Sequence, residues 1–173
     1  ELVNYINEKL AALGSEAKFS RGYGLTEMCA VCTNNSHFAY SKDSVGYPLV
    51  CVEAKIWDDD CNKLPAGEKG EICVSGDSIM NGYLPDDTIQ DSGIYTDENG
   101  VNWIRTGDMG YMDEDGFIYL VDRKKDVVIS GGENLYPVEI ENFMRRFDKI
   151  KDVAVIGLPD ARLGEIAVAI IEI

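Results

Sequence analysis

Two dipeptides that favour tight hairpin turns, Asn99–Gly100 and Asp115–Gly116, lie between segments in which apolar and polar residues alternate. Such dipeptides readily adopt the backbone conformation that joins neighbouring antiparallel strands. Apolar residues at every second position, as in Val52–Ile56 and Ile72–Val74, predict strands with one buried face. Residues 40–121 are therefore predicted to form a small, distorted antiparallel β-barrel or sandwich.

The N-terminal segment has a different periodicity. In residues 2–13 apolar side chains recur at helical spacing, which predicts an amphipathic helix that packs one face inward and ends at Gly14. Residues 17–20 are expected to form a short buried strand leading into a glycine-rich loop at Tyr23. We interpret residues 1–39 as the end of an α/β subdomain.

The C-terminal segment combines a helix with two strands. Pro137 suits the first position of a helix, because the N–H that proline lacks would have no partner there. Two apolar strands, 153–158 and 166–173, are expected to follow, joined by a turn at Pro159–Asp160. The helix is expected to bury a stripe formed by Ile140, Phe143, Met144 and Phe147.

These patterns predict a mixed α/β fragment with three parts. The end of an α/β subdomain is followed by a distorted antiparallel β-barrel over residues 40–124 and by a partial α+β subdomain over residues 125–173. The break between the last two falls at Lys124–Asp126. The stretch Pro85–Asn102 is long and polar, and its sequence indicates no role.

Charge and cysteine content narrow the class of protein. The formal net charge is −15, whereas nucleic-acid-binding proteins usually carry a basic face, so no nucleic-acid partner is expected. The five cysteines form an odd number without regular spacing, which favours a reduced, cytoplasmic protein over a secreted disulfide framework. The longest apolar run, residues 166–171, is too short to span a bilayer, so no transmembrane segment is expected.

A segment that reads GYGLTE carries groups suited to a nucleotide. Gly22 and Gly24 allow backbone to approach a ligand closely, and the ring of Tyr23 between them is suited to stacking on a purine. Thr26 offers a hydroxyl to phosphate oxygens, and Glu27 offers a carboxylate to Mg²⁺, which prefers oxygen ligands. The alternative for Tyr23 is a core residue packed under the loop.

Two later motifs supply complementary groups. Residues 105–108 read RTGD, and the ionised carboxylate of Asp108 can accept hydrogen bonds from two vicinal ribose hydroxyls. Arg123, in the run DRKK, offers a fork of donors to ribose or phosphate oxygen. Each motif taken singly is better explained as a structural feature: a Gly-rich turn, an Asp-capped turn or a basic hairpin. Their order along the chain favours a nucleotide site.

In this order the motifs resemble those of the adenylate-forming superfamily, which includes acyl-CoA synthetases, beetle luciferases and the adenylation domains of peptide synthetases. Gly22–Glu27 is similar to the family's adenine and Mg²⁺ segment, and Arg105–Asp108 is similar to its ribose motif. Gly70–Gly76 with Asn81–Leu84 looks like a barrel-strand motif, and Asp122–Glu141 resembles the hinge and thioester-channel segment. The resemblance covers nearly the whole chain.

The resemblance implies an enzyme that uses ATP and Mg²⁺ to activate a carboxylic acid as an acyl adenylate and then transfers the acyl group to CoA. It implies catalytic roles for Thr26 and for Glu27, the Mg²⁺ ligand, and it places the hinge of a rotating C-terminal unit at Lys125. The nucleotide would be held by Gly22, Tyr23, Gly24, Thr26, Asp108 and Arg123. The channel for the pantetheine arm of CoA would be lined by Ser130, Gly131 and Gly132.

The expected parent function is an ATP-dependent carboxylate–CoA ligase. The run GGENLYP at residues 131–137 resembles synthetases of fatty or aromatic acids more than peptide-synthetase domains, which favours CoA as acceptor. A luciferase-like enzyme, a peptide-synthetase adenylation domain and a non-catalytic folded module that binds a partner remain alternatives. The sequence does not indicate the chain length or the aromatic character of the acid.

The resemblance also leads us to expect two elements that the sequence lacks. No Ser/Thr/Gly-rich phosphate loop with a lysine precedes Tyr23, and the C-terminal catalytic lysine of the family has no counterpart before Ile173. The isolated chain is therefore expected to be inactive in adenylation. Because its last strand would leave a sheet edge open, homo-oligomers through that strand are expected.

Overall fold

The computed structural model describes residues 2–36, 39–83 and 93–173. Within them lie two α-helices, α1 (Leu2–Ala12) and α2 (Pro137–Met144). The first eight strands are β1 (Gly22–Leu25), β2 (Ala30–Asn34), β3 (Tyr47–Pro48), β4 (Val52–Trp57), β5 (Gly70–Gly76), β6 (Ile94–Thr96), β7 (Asn102–Met112) and β8 (Ile118–Arg123). The remaining strands are β9 (Val128–Ser130), β10 (Glu133–Leu135), β11 (Asp152–Asp160) and β12 (Gly164–Glu172).

The strands form three sheets. The first has the order β1–β2–β3, and the third has the order β10–β9–β12–β11. The second is a curled, five-stranded half-barrel in the order β4–β5–β7–β6, with β8 also paired to β7. These sheets and the two helices confirm the expected fold class, whereas the division into three domains stays a prediction. Residues 84–92, which include the first part of the polar stretch Pro85–Asn102, lie outside the described residues.

Both predicted hairpin turns are present. Asn99–Gly100 lies between β6 and β7, where Gly100 has a φ of 78° and the Asp97 side chain accepts hydrogen bonds from two backbone N–H groups of the turn. Asp115–Gly116 lies between β7 and β8, with Gly116 at a φ of 86°. In both turns glycine adopts the left-handed conformation that other residues resist.

The core of the half-barrel lies around β5. Ile72, Val74, Ile104 and Ile118 are all buried there. The prediction that β5 has one polar, exposed face was wrong, since the strand is buried continuously from its first residue through Ser75. The reason is that side chains cover both faces of β5. Ile72 and Val74 lie in the main core on one face, and Cys73 packs with Trp57 and Trp103 on the other, where Glu71 bonds to Arg105 and Lys124.

Helix α1 forms as predicted, but the prediction that it packs one face inward was wrong. No residue of α1 is buried, and Leu2 is 66% exposed. The strand predicted over residues 17–20 is also absent from this part of the structure. The side chain of Asn7 instead bonds to the backbone N–H of Phe19 at 2.7 Å and to its C=O at 2.8 Å, the groups that a strand would pair.

The C-terminal unit follows the expected order with two differences. Pro137 occupies the start of α2, as predicted. The apolar stripe of α2 is not buried, however, and Phe143 is 59% exposed. The turn between β11 and β12 lies at residues 161–163 instead of at Pro159, because Asp160 caps those residues and Pro159 pairs within the hairpin. No helix among the described residues is long and apolar enough to cross a membrane.

Candidate functional site

A bulge in β7 removes the last three residues of the RTGD motif from pairing with β5. Cys73 of β5 pairs with Arg105 of β7, but Glu71 pairs with Met109, so residues 106–108 lie opposite the single residue Ile72. Extra residues on one strand bend it and redirect its side chains. The bulge therefore determines where the side chain of Asp108 lies relative to β5.

Side-chain hydrogen bonds hold this bulge in shape. Gly107 has a φ of 71°, which favours glycine. The hydroxyl of Thr106 donates to the backbone oxygen of Ile72 at 2.7 Å and accepts from the backbone N–H of Asp108 at 3.1 Å. The motif is thus tied to β5 on one side and to its own aspartate on the other.

Asp108 is the meeting point of the predicted nucleotide residues. The hydroxyl of Tyr23 donates to Asp108 Oδ2 at 2.8 Å. Arg123 Nε lies 3.4 Å from Asp108 Oδ1, because the register of β7 and β8 places these two residues opposite each other. Residues separated by much of the chain therefore converge on one carboxylate.

The ring of Tyr23 is packed in the core and is only 9% exposed. Burial, followed by the hydrogen bond and the negative charge of Asp108, raises the pKa of Tyr23 far above its usual value. The phenol therefore stays protonated and acts as a donor. This position matches the core alternative for Tyr23, and stacking on a purine stays a prediction.

Glycine at position 24 is required by the first sheet. A Cβ atom at Gly24 would lie 1.7 Å from the backbone oxygen of Ala30, so β1 and β2 can approach each other only if this residue has no side chain. The 3₁₀ turn Thr26–Met28 follows directly, and it places Thr26 and Glu27 beside the half-barrel. The loop's glycine is thus explained by strand packing before any ligand is considered.

The motifs line one cleft of about 820 Å³. It brings together six of the predicted site residues: Gly24, Thr26, Glu27, Asp108, Arg123 and Lys125. The rest of its wall consists of Leu25, Tyr83, Gly93, Ile104, Arg105, Thr106, Gly107 and Lys124. Gly22 and Tyr23 lie beside the cleft on β1 without lining it.

Glu27 is partly buried in this cleft and accepts a hydrogen bond from the hydroxyl of Tyr83. That hydrogen bond raises the pKa of Tyr83. Among the described residues no group of three or more His, Cys, Asp or Glu side chains is placed to bind a metal. Glu27 with the Thr26 hydroxyl still fits Mg²⁺, because that ion usually takes one or two protein oxygens together with water and nucleotide phosphates.

The basic residues of the cleft differ in how they are paired. Lys124 Nζ lies 2.6 Å from Asp59 and 3.0 Å from Glu71. Lys125 follows in the same 3₁₀ turn and makes no ion pair within 4.0 Å in the part of the chain that the structure describes. It is therefore the cleft lysine whose charge is available to an anion.

The glycines predicted to line the pantetheine channel lie elsewhere. Ser130 ends β9, and Gly131 and Gly132 form the turn to β10, where the Gly131 N–H donates to the backbone oxygen of Leu163 at 2.8 Å. None of the three lines the cleft. The channel role stays a prediction, and the structure explains these glycines by their positive φ angles of 60° and 89° at Gly131 and Gly132.

Two residues around the cleft lie outside the sequence predictions. The period-two pattern of β5 predicts an outward Glu71, whereas the structure buries its carboxylate against Arg105 and Lys124. Thr106 lies within RTGD without a predicted role. Its position directly before the glycine of a strand bulge is the signal that could have indicated a backbone-bonding hydroxyl.

Comparison with known proteins identifies the family. A family model described as AMP-binding enzyme matches residues 4–84. The long-chain-fatty-acid–CoA ligase of Salmonella typhimurium is 43% identical over 147 residues, which make up 83% of this chain and 25% of the relative. Feruloyl-CoA synthase of an Amycolatopsis species is 38% identical over 157 residues, or 88% of this chain and 30% of the relative.

Comparison with solved structures identifies the same family. ATP-bound MatB from Rhodopseudomonas palustris has a TM-score of 0.81 and 31% identity, covering 98% of this chain and 33% of that one. O-succinylbenzoate CoA synthetase from Bacillus subtilis, in complex with ATP and magnesium, has a TM-score of 0.74 and 32% identity, covering 97% and 34%. The chain belongs to the AMP-binding family of adenylate-forming enzymes. It spans about a quarter of the length of the curated relatives named first.

Proposed function

We propose that this chain forms the adenosine-binding and hinge region of an ATP-dependent carboxylate–CoA ligase. The observation that carries the proposal is the convergence of Tyr23 and Arg123 on the Asp108 carboxylate, at the wall of a cleft that also contains Thr26 and Glu27. Relatives named as CoA ligases and a structural neighbour with bound ATP support it.

Asp108 is proposed to hold the ribose. Its carboxylate is acceptor-only and can bind two vicinal hydroxyls, while Tyr23 fixes its orientation through Oδ2. Arg123 lies opposite on β8 and adds donors for ribose or phosphate oxygen. Fixing the sugar in this way orients the reacting phosphate without further loss of rotational freedom.

Thr26 and Glu27 are proposed to bind the phosphates and Mg²⁺. ATP supplies the adenylate leaving group that makes a carboxylic acid reactive toward a thiol. The Glu27 carboxylate is available from within the cleft to hold the cation, and the ammonium of Lys125, which has no ion-pair partner in the described ranges, offers a second positive charge to a phosphate. Preorganised charges of this kind stabilise negative charge that develops as pyrophosphate leaves.

The acid is proposed to be a fatty or aromatic carboxylic acid, since a long-chain-fatty-acid–CoA ligase and a feruloyl-CoA synthase are both close in sequence. CoA is the proposed acceptor, with Ser130, Gly131 and Gly132 lining the path of its pantetheine arm. Lys125 is the proposed hinge, in keeping with its position in the short turn that separates the half-barrel from the third sheet.

The test is an assay of the whole protein for acid-dependent formation of acyl-CoA from ATP and CoA. Either palmitate or ferulate is expected to support turnover, and Asp108→Asn is expected to lower kcat/KM by about a hundredfold or more. Asp115→Asn is the control, because Asp115 is an exposed turn residue and Asn-Gly suits the same hairpin.

The same assay separates the alternatives. Absence of both ATP consumption and acyl-CoA formation with every acid tested would contradict the proposal and favour a non-catalytic module. Transfer of the acyl group to a carrier-protein thiol but not to CoA would favour a peptide-synthetase domain. Light emission on oxygen addition would favour a luciferase-like enzyme.

A further inference from the structure

Glu71 is a buried carboxylate that lies directly beneath the cleft and is only 5% exposed. Its Oε2 atom accepts hydrogen bonds from Arg105 Nη2 at 2.7 Å, Arg105 Nε at 3.1 Å and Lys124 Nζ at 3.0 Å. Its Oε1 atom accepts from the backbone N–H of Gly107 at 3.0 Å. Arg105, Gly107 and Lys124 all line the cleft, whereas Glu71 itself does not.

The contacts keep this carboxylate charged. Burial alone would raise the pKa of Glu71, but the hydrogen bonds from Arg105, Lys124 and Gly107 outweigh burial and hold the pKa below its usual value. A buried charge is tolerated only when donors of this kind surround it. The side chain therefore joins the bulge of β7 to the 3₁₀ turn that contains Lys124.

The same contacts determine which positive charges face a ligand. Arg105 is paired with Glu71, and Lys124 is paired with both Glu71 and Asp59. Arg123 is paired with Asp108. Lys125 is the cleft cation without a carboxylate partner within the described residues.

We propose that Glu71 is a positioning residue for the nucleotide, which holds the Arg105–Asp108 bulge in its binding shape and withdraws the charges of Arg105 and Lys124 from the cleft. This inference rests on the proposed function and adds a residue to it. It has two separate consequences, because shape affects any adenosine ligand whereas charge affects only anionic ones.

The first test measures by calorimetry the Kd values of adenosine and of AMP for Glu71→Gln and for the wild type. Loss of the bulge's support is expected to weaken adenosine binding about tenfold. The released cations are expected to offset part of that loss for AMP, so the ratio of the adenosine Kd to the AMP Kd rises roughly threefold or more. Glu53→Gln is the control, since Glu53 is an exposed carboxylate on the adjacent strand β4.

A purely structural role for Glu71 would raise both Kd values by the same factor, and an unchanged ratio would overturn the proposal. Glu71→Asp keeps the charge but shortens the side chain, so both Kd values are expected to rise while the ratio stays at the wild-type value. Should Glu71→Gln not fold, Lys125→Gln is expected to lower the ratio more than Lys124→Gln does. Equal effects of the two lysine variants would contradict the withdrawal of charge.

A second measurement needs no nucleotide. In NMR spectra of the ligand-free chain, the Arg105 Nε–H signal is expected to exchange slowly with solvent and to disappear in Glu71→Gln but not in Glu53→Gln. Rapid exchange of that signal in the wild type would overturn the positioning role. Failure of the wild type to bind AMP and adenosine would instead contradict the proposed function, so the two failures are distinguishable.

Discussion

The side chain of Tyr23 has two roles: its ring supports the core, and its hydroxyl orients Asp108. Tyr23→Phe keeps the buried ring but removes the O–H group donated to Asp108 Oδ2. We expect the free energy of unfolding to fall by about 1–2 kcal/mol and AMP affinity to fall about fivefold. Urea denaturation and calorimetry measure the two effects.

Tyr119→Phe is the matched control for this substitution. The Tyr119 hydroxyl also donates to an aspartate, Asp113, at 3.0 Å, but neither residue lines the cleft. Its loss is expected to lower stability while AMP affinity stays the same. An equal loss of AMP affinity in both variants would show that Tyr23 acts only through general stability.

The lowered pKa of Glu71 predicts how stability depends on pH. The folded protein holds this proton less tightly than the unfolded chain, so the contribution of Glu71 is fully present above its ordinary pKa of 4.5 and is lost as the pH falls through the lower folded value. Urea unfolding below pH 4.5 should therefore show a steeper loss of stability for the wild type than for Glu71→Gln. Parallel curves for the two proteins would contradict this assignment.

At the residue level, much of the site could be predicted and some could not. Asp108 and Arg123 were identifiable from the order of the motifs along the chain, since either motif alone could be a structural turn. Glu71 was not, since alternation along a strand distinguishes its two faces but does not show whether other side chains cover the polar one. The burial of Tyr23 is likewise determined by the packing of the first sheet against the half-barrel.

At the level of elements, the bulge of β7 is the feature that shapes the cleft. Thr106→Val removes the hydroxyl that bonds to Ile72 and Asp108 while keeping nearly the same volume. We expect the free energy of unfolding to fall by about 1–2 kcal/mol, because two backbone groups lose their partner, and we expect AMP to bind more weakly. Thermal or urea denaturation and calorimetry provide the readout.

Thr96→Val is the control for Thr106→Val in the bulge. The Thr96 hydroxyl donates to Asn102 at 2.8 Å in the exposed β6–β7 hairpin, so the same substitution removes a hydrogen bond outside the cleft. A small change in stability and no change in AMP affinity are expected. If Thr106→Val binds AMP as tightly as Thr96→Val, the bulge does not position Asp108.

Element ends were more predictable than element faces. The turns at Asn99–Gly100 and Asp115–Gly116 and the start of α2 at Pro137 follow from local backbone chemistry, and all are present. The apolar faces of α1 and α2 were predicted to be buried and are half-buried or exposed. Periodicity identifies an apolar face, but burial depends on what lies against it.

At the scale of the whole molecule, the edge of β12 predicts self-association. β12 pairs with β11 along its full length, but its backbone pairing with β9 is confined to Gly164 and Ser130, so most of its other edge is unpaired among the described residues. Ile170 is exposed there. An apolar, unpaired edge is a template for another strand.

We therefore expect oligomers in sedimentation or light-scattering measurements at high protein concentration, and we expect Ile170→Lys to reduce them. Lys at an edge strand opposes further pairing because its charge would have to be desolvated. Val101→Lys, on an exposed turn in the half-barrel, is the control and is expected to leave association unchanged. A strict monomer in the wild type would contradict the prediction.

The relation between the three sheets is the part of the architecture that local patterns describe least. Asp108 and Tyr23 are 85 residues apart in sequence, yet a hydrogen bond joins them. The order of the motifs indicates that they serve one site, but their distance in space depends on β1 packing against the half-barrel. Ribose binding by Asp108 therefore depends on this contact between the sheets as well as on the residue types.

The most direct test of ribose binding by Asp108 is a calorimetric titration of the chain with AMP and with 2′,3′-dideoxy-AMP, which lacks both ribose hydroxyls. If Asp108 holds the ribose, AMP should bind at least tenfold more tightly than the dideoxy analogue, and Asp108→Asn should abolish the difference. Equal affinities of the wild type for the two nucleotides would contradict a ribose-binding role for Asp108.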